Sequence, residues 1–142
     1  MKTLTSIVVC VSLIGLAGMI YAADSSGASK SDLLNGARET VGFVVLNTNC
    51  EGELIVNVAL KDGEADKTYG VDVKINREDR VFLNRISTNK QGNGNLNGKL
   101  PIPEPLLDDE VIYVRVFLFD ATGDLIGTEL ITVAVKKCGM DS

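Results

Sequence analysis

Between residues 38 and 136, apolar residues recur at every second position or run together in short stretches, and clusters of Asn, Asp, Gly and Pro separate the stretches. A period of two sends successive side chains to opposite faces of an extended chain, so each stretch reads as a strand with one buried face. Seven strands are predicted, at about 38–47, 53–61, 68–76, 80–87, 95–102, 110–119 and 125–136. The clearest is the second, where Leu54, Val56, Val58 and Leu60 oppose Glu53, Asn57 and Lys61. The third repeats it, with Tyr69, Val71, Val73 and Ile75 against Gly70, Asp72, Lys74 and Asn76. From Val111 to Phe119 only Arg115 breaks a nearly continuous apolar run, the pattern of a central strand covered on both sides. The last stretch alternates Leu125, Ile131, Val133 and Val135 with Thr128, Thr132 and Lys136, but Gly127 and Glu129 fall on the apolar register and leave its face open.

The breaks carry turn chemistry. Asp62-Gly63, Asn93-Gly94, Asn97-Gly98 and Gly123-Asp124 supply residues that tolerate positive φ. Pro101, Pro103 and Pro105 end the fifth strand, because proline cannot donate to a ladder. Seven short strands at this spacing predict an all-β domain, an immunoglobulin-like β-sandwich of about seven antiparallel strands over residues 38–138, with a tail at 139–142. At Ile86-Ser87-Thr88-Asn89-Lys90-Gln91-Gly92-Asn93-Gly94-Asn95 the chain resembles the strand-turn-strand signature T-[D/N]-x-x-G of bacterial extracellular immunoglobulin-like modules. The resemblance covers roughly fifteen residues and implies adhesion, spacing or partner binding at a cell surface, without a catalytic role.

Ahead of the strands the pattern changes twice. Lys2 precedes an apolar run from Ile7 to Ile20, interrupted only by Ser12, Gly15 and Gly18 and followed by Ala22-Ala23, the order of a secretory signal helix cleaved after Ala22. An uncleaved anchor ranks second, since Leu4 to Tyr21 approaches the ~20 residues that span a bilayer. Residues 23–37, rich in Ala, Ser, Gly and Asp, read as a flexible tether.

Cleavage would leave 120 of the 142 residues, enough for one core, with no further membrane span. It would also remove Cys10, so that Cys50 and Cys138 remain as a matched pair for a secreted, periplasmic or cell-surface protein. If successive strands reverse direction, the turn after the first predicted strand and the end of the seventh share a pole, which puts the two cysteines together. Their 88-residue separation gives about 4.5 kcal/mol of loop-entropy stabilisation as an upper figure.

Charge and inventory narrow the function classes. The formal net charge is −5, and the basic residues are scattered except at Lys136-Lys137, which excludes nucleic acid. The chain has no His, so with both cysteines bonded neither a Ser-His nor a Cys-His nucleophile system is available. No enzyme is expected, and a carboxylate-based hydrolase stands third among the functional readings. Few aromatics remain outside the signal, Tyr69, Tyr113 and four Phe, most of them on apolar registers, which argues against carbohydrate binding.

No cofactor is expected beyond calcium. The Asn89, Gln91, Asn93, Gly94 spacing mimics the start of a calcium loop but ends on Leu100 where a bidentate Glu is needed, so it reads as a plain hairpin. The metal candidates are Asp62, Glu64 and Asp66 in one loop and Asp120 and Asp124 in another, both at the pole opposite the cysteines. A non-catalytic module that binds a protein partner through loops or a sheet edge is the first expectation. A filament or surface-layer subunit self-associating through strand addition by residues 23–37 is the second.

Overall fold

The computed structural model describes residues 28–138; the predicted signal and the tail lie outside them. Among the described residues eight strands form where seven are predicted: β1 (Ser29–Leu34), β2 (Thr40–Thr48), β3 (Glu53–Leu60), β4 (Thr68–Ile75), β5 (Val81–Ser87), β6 (Gly94–Pro101), β7 (Val111–Phe119) and β8 (Leu125–Ala134). A 3-10 turn, Glu104–Asp108, follows the proline-marked end of β6. The expected tether is therefore corrected over 29–34. Six polar-rich residues become a strand because β2 offers them a complete ladder, Ser29 opposite Leu46 through Leu34 opposite Thr40, and because Leu33 drops into the core.

All ladders are antiparallel, and their order is β5-β4-β7-β8-β1-β2-β3-β6. This one sheet is nearly closed. The edge strands approach without pairing, so that a Cβ on Gly98 of β6 would meet the Leu83 side chain of β5 at 3.1 Å. The order differs from the expected immunoglobulin arrangement. There the second and third strands belong to opposite sheets, whereas here β1, β2 and β3 form a meander of direct neighbours.

The interior is aliphatic. Val44, Leu46, Leu54, Val56, Val58, Val71, Val73, Ile86, Ile112, Val114, Val116, Leu118 and Val133 are essentially inaccessible, each worth roughly 1.5–3 kcal/mol of burial. The expectation that most Phe occupy core registers is corrected: Phe43, Phe117 and Phe119 are half-buried and Phe82 is exposed, leaving Tyr69 as the buried aromatic among the described residues. For the same reason β7 is central in the sheet but not covered on both sides. Its even-numbered residues face inward, while Tyr113, Arg115, Phe117 and Phe119 face out. The open question of β8 is settled by a register shift: Leu118 pairs with Gly127 and Phe119 with Leu125. The shift turns Leu125 outward and Gly127 inward, where Val41 and Leu33 leave no room for a side chain.

One turn geometry recurs four times. In each, an Asn or Asp side-chain oxygen accepts from the amides two and four residues on, and the backbone closes behind it. Asn35 does this to Ala37 and Glu39, Asn49 to Glu51 and Glu53, Asn89 to Gln91 and Asn93, and Asp120 to Thr122 and Asp124. The residue three on is left-handed: Arg38 (φ 65°), Gly52 (75°), Gly92 (80°) and Gly123 (92°). The Thr-Asn-x-x-Gly stretch at 88–92 occurs again at 48–52, and local turn chemistry accounts for it at both places.

Candidate functional site

Cys50 and Cys138 are bonded, with Cα atoms 5.4 Å apart. Cys50 lies in the β2–β3 turn and Cys138 four residues beyond β8, so the bond pins the chain end to one pole. The buried Thr48 hydroxyl does the same without a covalent link, donating to the Ala134 carbonyl (2.9 Å) and accepting from the Lys136 amide (2.8 Å). Lys137 Nζ adds bonds to the Leu107 and Asp109 carbonyls.

The opposite pole gathers the turns 35–39, 61–67, 88–93 and 120–124. The second buried threonine, Thr88, donates to the Glu64 carbonyl (2.7 Å) and accepts from the Lys67 amide (2.8 Å). The loop 61–67 is thereby laid along 88–93, an arrangement that Gly63 N to Gly92 O and Asp62 N to Asn93 Oδ1 extend. Beside it opens a depression of about 360 Å³, floored by Val41, Leu60, Leu118 and Ile126 and rimmed by Asn35, Glu39, Lys61 and Asp62.

The five predicted metal candidates all occur at this pole but do different work. Asp62 rims the depression and is left-handed (φ 57°), as is Asp66 (φ 54°), whose amide donates to the Asn89 carbonyl. Glu64 faces Lys67 at 3.9 Å. Asp120 shapes its own turn, and the Thr122 hydroxyl at 2.6 Å, followed by the Asp124 amide, holds its carboxyl below the ordinary value. Asp124 closes that turn through its amide and carbonyl. Among the described residues, no three Asp, Glu, His or Cys side chains come together as a group able to hold a metal ion.

The surface missed by sequence reasoning is the outer face of β5-β4-β7-β8. All five large hydrophobics that are exposed among the described residues lie on β5, β7 and β8, each about half accessible: Phe82, Tyr113, Leu125 and Leu130 on the outward register, and Val81, opposite the buried Val73, at the sheet edge. Across the ladders, Phe82 and Phe117 sit on either side of Asp72, and Arg85 and Phe119 on either side of Gly70. Arg80 grips Asp72 (2.9 Å) and lies 4.0 Å over the Phe117 ring, while Arg85 lies 5.3 Å over Phe82. Lys74, Arg85 and Arg115 have no carboxylate at ion-pair distance among the described residues. The signal available in the sequence was that Phe117 and Phe119 share a strand and a register with Arg115, whereas Phe82 meets Asp72 only through the β4–β5 ladder.

Among the described residues the other half has one cation-aromatic cluster of its own, Lys30 and Lys61 at 4.6 and 5.9 Å over Phe43, but none of the exposed large hydrophobics. Outward residues of β2, β3 and β6 include Asn47, Asn57, Asn95 and Asn97, and Lys99 there pairs with Glu53 at 3.5 Å.

No protein-family model matches the chain, and no curated protein matches it. Among solved structures it is similar to an endonuclease/exonuclease/phosphatase from Beutenbergia cavernae DSM 12333. The similarity has 19% identity and a TM-score of 0.44 over 74% of this chain and 26% of that one. The chain thus spans about a quarter of that protein's length, and a likeness of this size carries no argument about function.

Proposed function

We propose that the protein is a non-catalytic binding module acting outside the cytoplasm, and that it engages an acidic, apolar segment of a partner protein through edge strand β5 and the adjoining outer face of β4, β7 and β8. The observation that carries this reading is the segregation of every exposed large hydrophobic among the described residues onto that half of the sheet. Aromatic and arginine side chains are the residues that concentrate binding energy at protein interfaces, and here they are interleaved. Lys74, Arg85 and Arg115, lacking carboxylate partners, complement a negatively charged segment, although the chain as a whole is acidic. With Arg80 and Arg85 already stacked over Phe117 and Phe82, those rings are less open to a sugar than to a peptide whose carboxylates reach the guanidinium edges. The disulfide supports an oxidising compartment, in keeping with the signal-like start.

The test uses immobilised peptides alternating Glu with Leu, and the same peptides with Lys in place of Glu. The protein should bind the acidic set in a salt-sensitive way. Phe82→Ala should weaken binding about tenfold, and Arg85→Glu with Arg115→Glu should abolish it while the thermal midpoint holds. Equal retention of acidic and basic peptides, or unchanged binding by the charge-reversed protein, would remove the reading.

A further inference from the structure

Three features make β1 a weakly committed strand although it lies inside the sheet order. On one side it pairs with β2 along its whole length, but on the other it meets β8 at a single ladder position, Leu34 opposite Thr128. Elsewhere along that seam hydroxyls stand in for ladder contacts: Ser29 Oγ donates to the Thr132 carbonyl and Ser31 Oγ to the Glu129 carboxylate. The strand also gives the core one fully buried side chain, Leu33, while Lys30 and Asp32 are exposed and touch only the outer side of β2, Lys30 at 4.6 Å over Phe43 and Asp32 accepting from the Thr40 hydroxyl.

The third feature is its hinge. The turns at 49–53, 89–93 and 120–124 place glycine in the left-handed position, and the β1–β2 turn at 35–39 places Arg38 there, at φ 65°. A side chain in that region costs roughly 1–2 kcal/mol, and no ion pair or ring contact of the Arg38 guanidinium offsets it among the described residues. Gly36 stands two positions too early to relieve it. A short hinge under strain, joined to a terminal strand with one nearly open side, is the arrangement that favours exchange of the strand between copies.

We infer that the protein self-associates by exchanging β1: residues 29–34 of one copy leave their own slot and occupy the slot between β8 and β2 of a second copy. Every contact of the strand is remade in the second molecule, so the exchange changes only the hinge, which opens and releases Arg38 from the left-handed region. Opposing this, Asn35 gives up its side-chain bonds to the Ala37 and Glu39 amides and to the Glu39 carboxylate, and the backbone bonds from Asn35 N to Glu39 O and from Arg38 N to Asn35 O open. The balance between these two terms sets the concentration at which exchange occurs. This contact uses neither β5 nor the arginine-aromatic face and stands independently of the binding role proposed above.

The test uses the full chain carrying Lys30→Cys and Val45→Cys, an outward-facing pair directly opposite each other in the β1–β2 ladder. Isotopically light and heavy preparations are mixed at high concentration and oxidised, and the peptides containing positions 30 and 45 are mapped by mass spectrometry. Light-heavy cross-links are expected, with a dimer in solution. Cross-links confined to single chains, or a strict monomer at millimolar concentration, overturn the inference. A second measurement leaves the cysteines native. Arg38→Gly should weaken dimerisation at least tenfold, because both hinges of a dimer lose the release of strain. Asn35→Ala should strengthen dimerisation. Unchanged dimerisation by Arg38→Gly equally overturns the inference.

Discussion

The two poles carry the same five-residue sequence pattern, Thr-Asn-x-x-Gly, and use it alike, yet they differ in what backs it up. At 48–52 the buried Thr48 ties down the chain end, and one residue past the turn asparagine Cys50 ties the same segment covalently. At 88–92 the buried Thr88 ties down the loop 61–67 through hydrogen bonds alone. A hydroxyl that both donates and accepts replaces ladder bonds at places where the sheet has no neighbouring strand to supply them. The difference teaches which pole is held by the covalent chain and which by polar geometry that single atoms can undo.

Removing the covalent backing gives the largest expected effect. Cys50→Ser with Cys138→Ser should cost up to about 4.5 kcal/mol in denaturant unfolding, from the entropy of the 88-residue loop. Hydrogen exchange should accelerate at 134–138 and leave 61–67 unchanged. Acceleration at both poles alike would show that they are not independent.

The glycines sharpen the comparison next. An added Cβ at Gly92 would lie 1.9 Å from the Gly63 carbonyl oxygen, in a left-handed residue, so Gly92→Ala should cost about 3 kcal/mol or more. Gly52→Ala meets only the Leu107 methyls at 3.4 Å, and Gly123→Ala meets nothing within 4 Å, so each should cost about 1 kcal/mol, the backbone term alone. Thermal and urea midpoints of the three variants separate crowding from conformation.

The threonines come third. Thr48→Val and Thr88→Val each strip a buried amide and carbonyl of their partner, an effect of about 1–3 kcal/mol. Thr88→Val should cost more, because no covalent bond holds 61–67 in place once the hydroxyl is gone. Serine at either position should restore most of the loss. Equal costs would mean that the disulfide does not share the load at its pole.

How much of this was legible depends on how far each signal is local. The alternation of Leu54, Val56, Val58 and Leu60 is a property of one strand and names its buried face directly. The cysteine pairing follows from counting and strand parity. β1 was hidden because Ser-Lys-Ser-Asp has no alternation of its own, and its strand character comes from β2. The phase of β8 was hidden because the irregularity lies in the pairing between Leu118 and Phe119. The arginine-aromatic face was missed because apolar character was taken to mean inward. A phenylalanine next to a guanidinium on the same register gains from an outward position that no periodicity records. The metal candidates failed to converge because Asp120, like the turn asparagines, is occupied with its own backbone.

Among the described residues each pole also holds a carboxylate whose pKa is lowered by its hydrogen bonds, and this gives the smallest and most local test. Asp120 is held low first by the Thr122 hydroxyl, and Glu53 at the disulfide pole first by the Asn49 side-chain amide, with Lys99 adding to it. A folded pKa below the unfolded one means that the contribution is fully present above the unfolded value. It is lost as pH falls through the unfolded and then the folded pKa. Acidification below about pH 4 should therefore loosen the 120–124 turn. The 89–93 turn at the same pole should stay unmoved, since Asn89 performs the same capping without a titrating group. Asp120→Asn should keep the turn and abolish its acid dependence, read from the amide shifts of Thr122 and Asp124 between pH 6 and pH 3. At the other pole Glu53→Gln should do the same for 49–53. If both poles loosen together in acid despite these substitutions, their stability is set by total charge, and the polar geometry of the individual turns is not what distinguishes them.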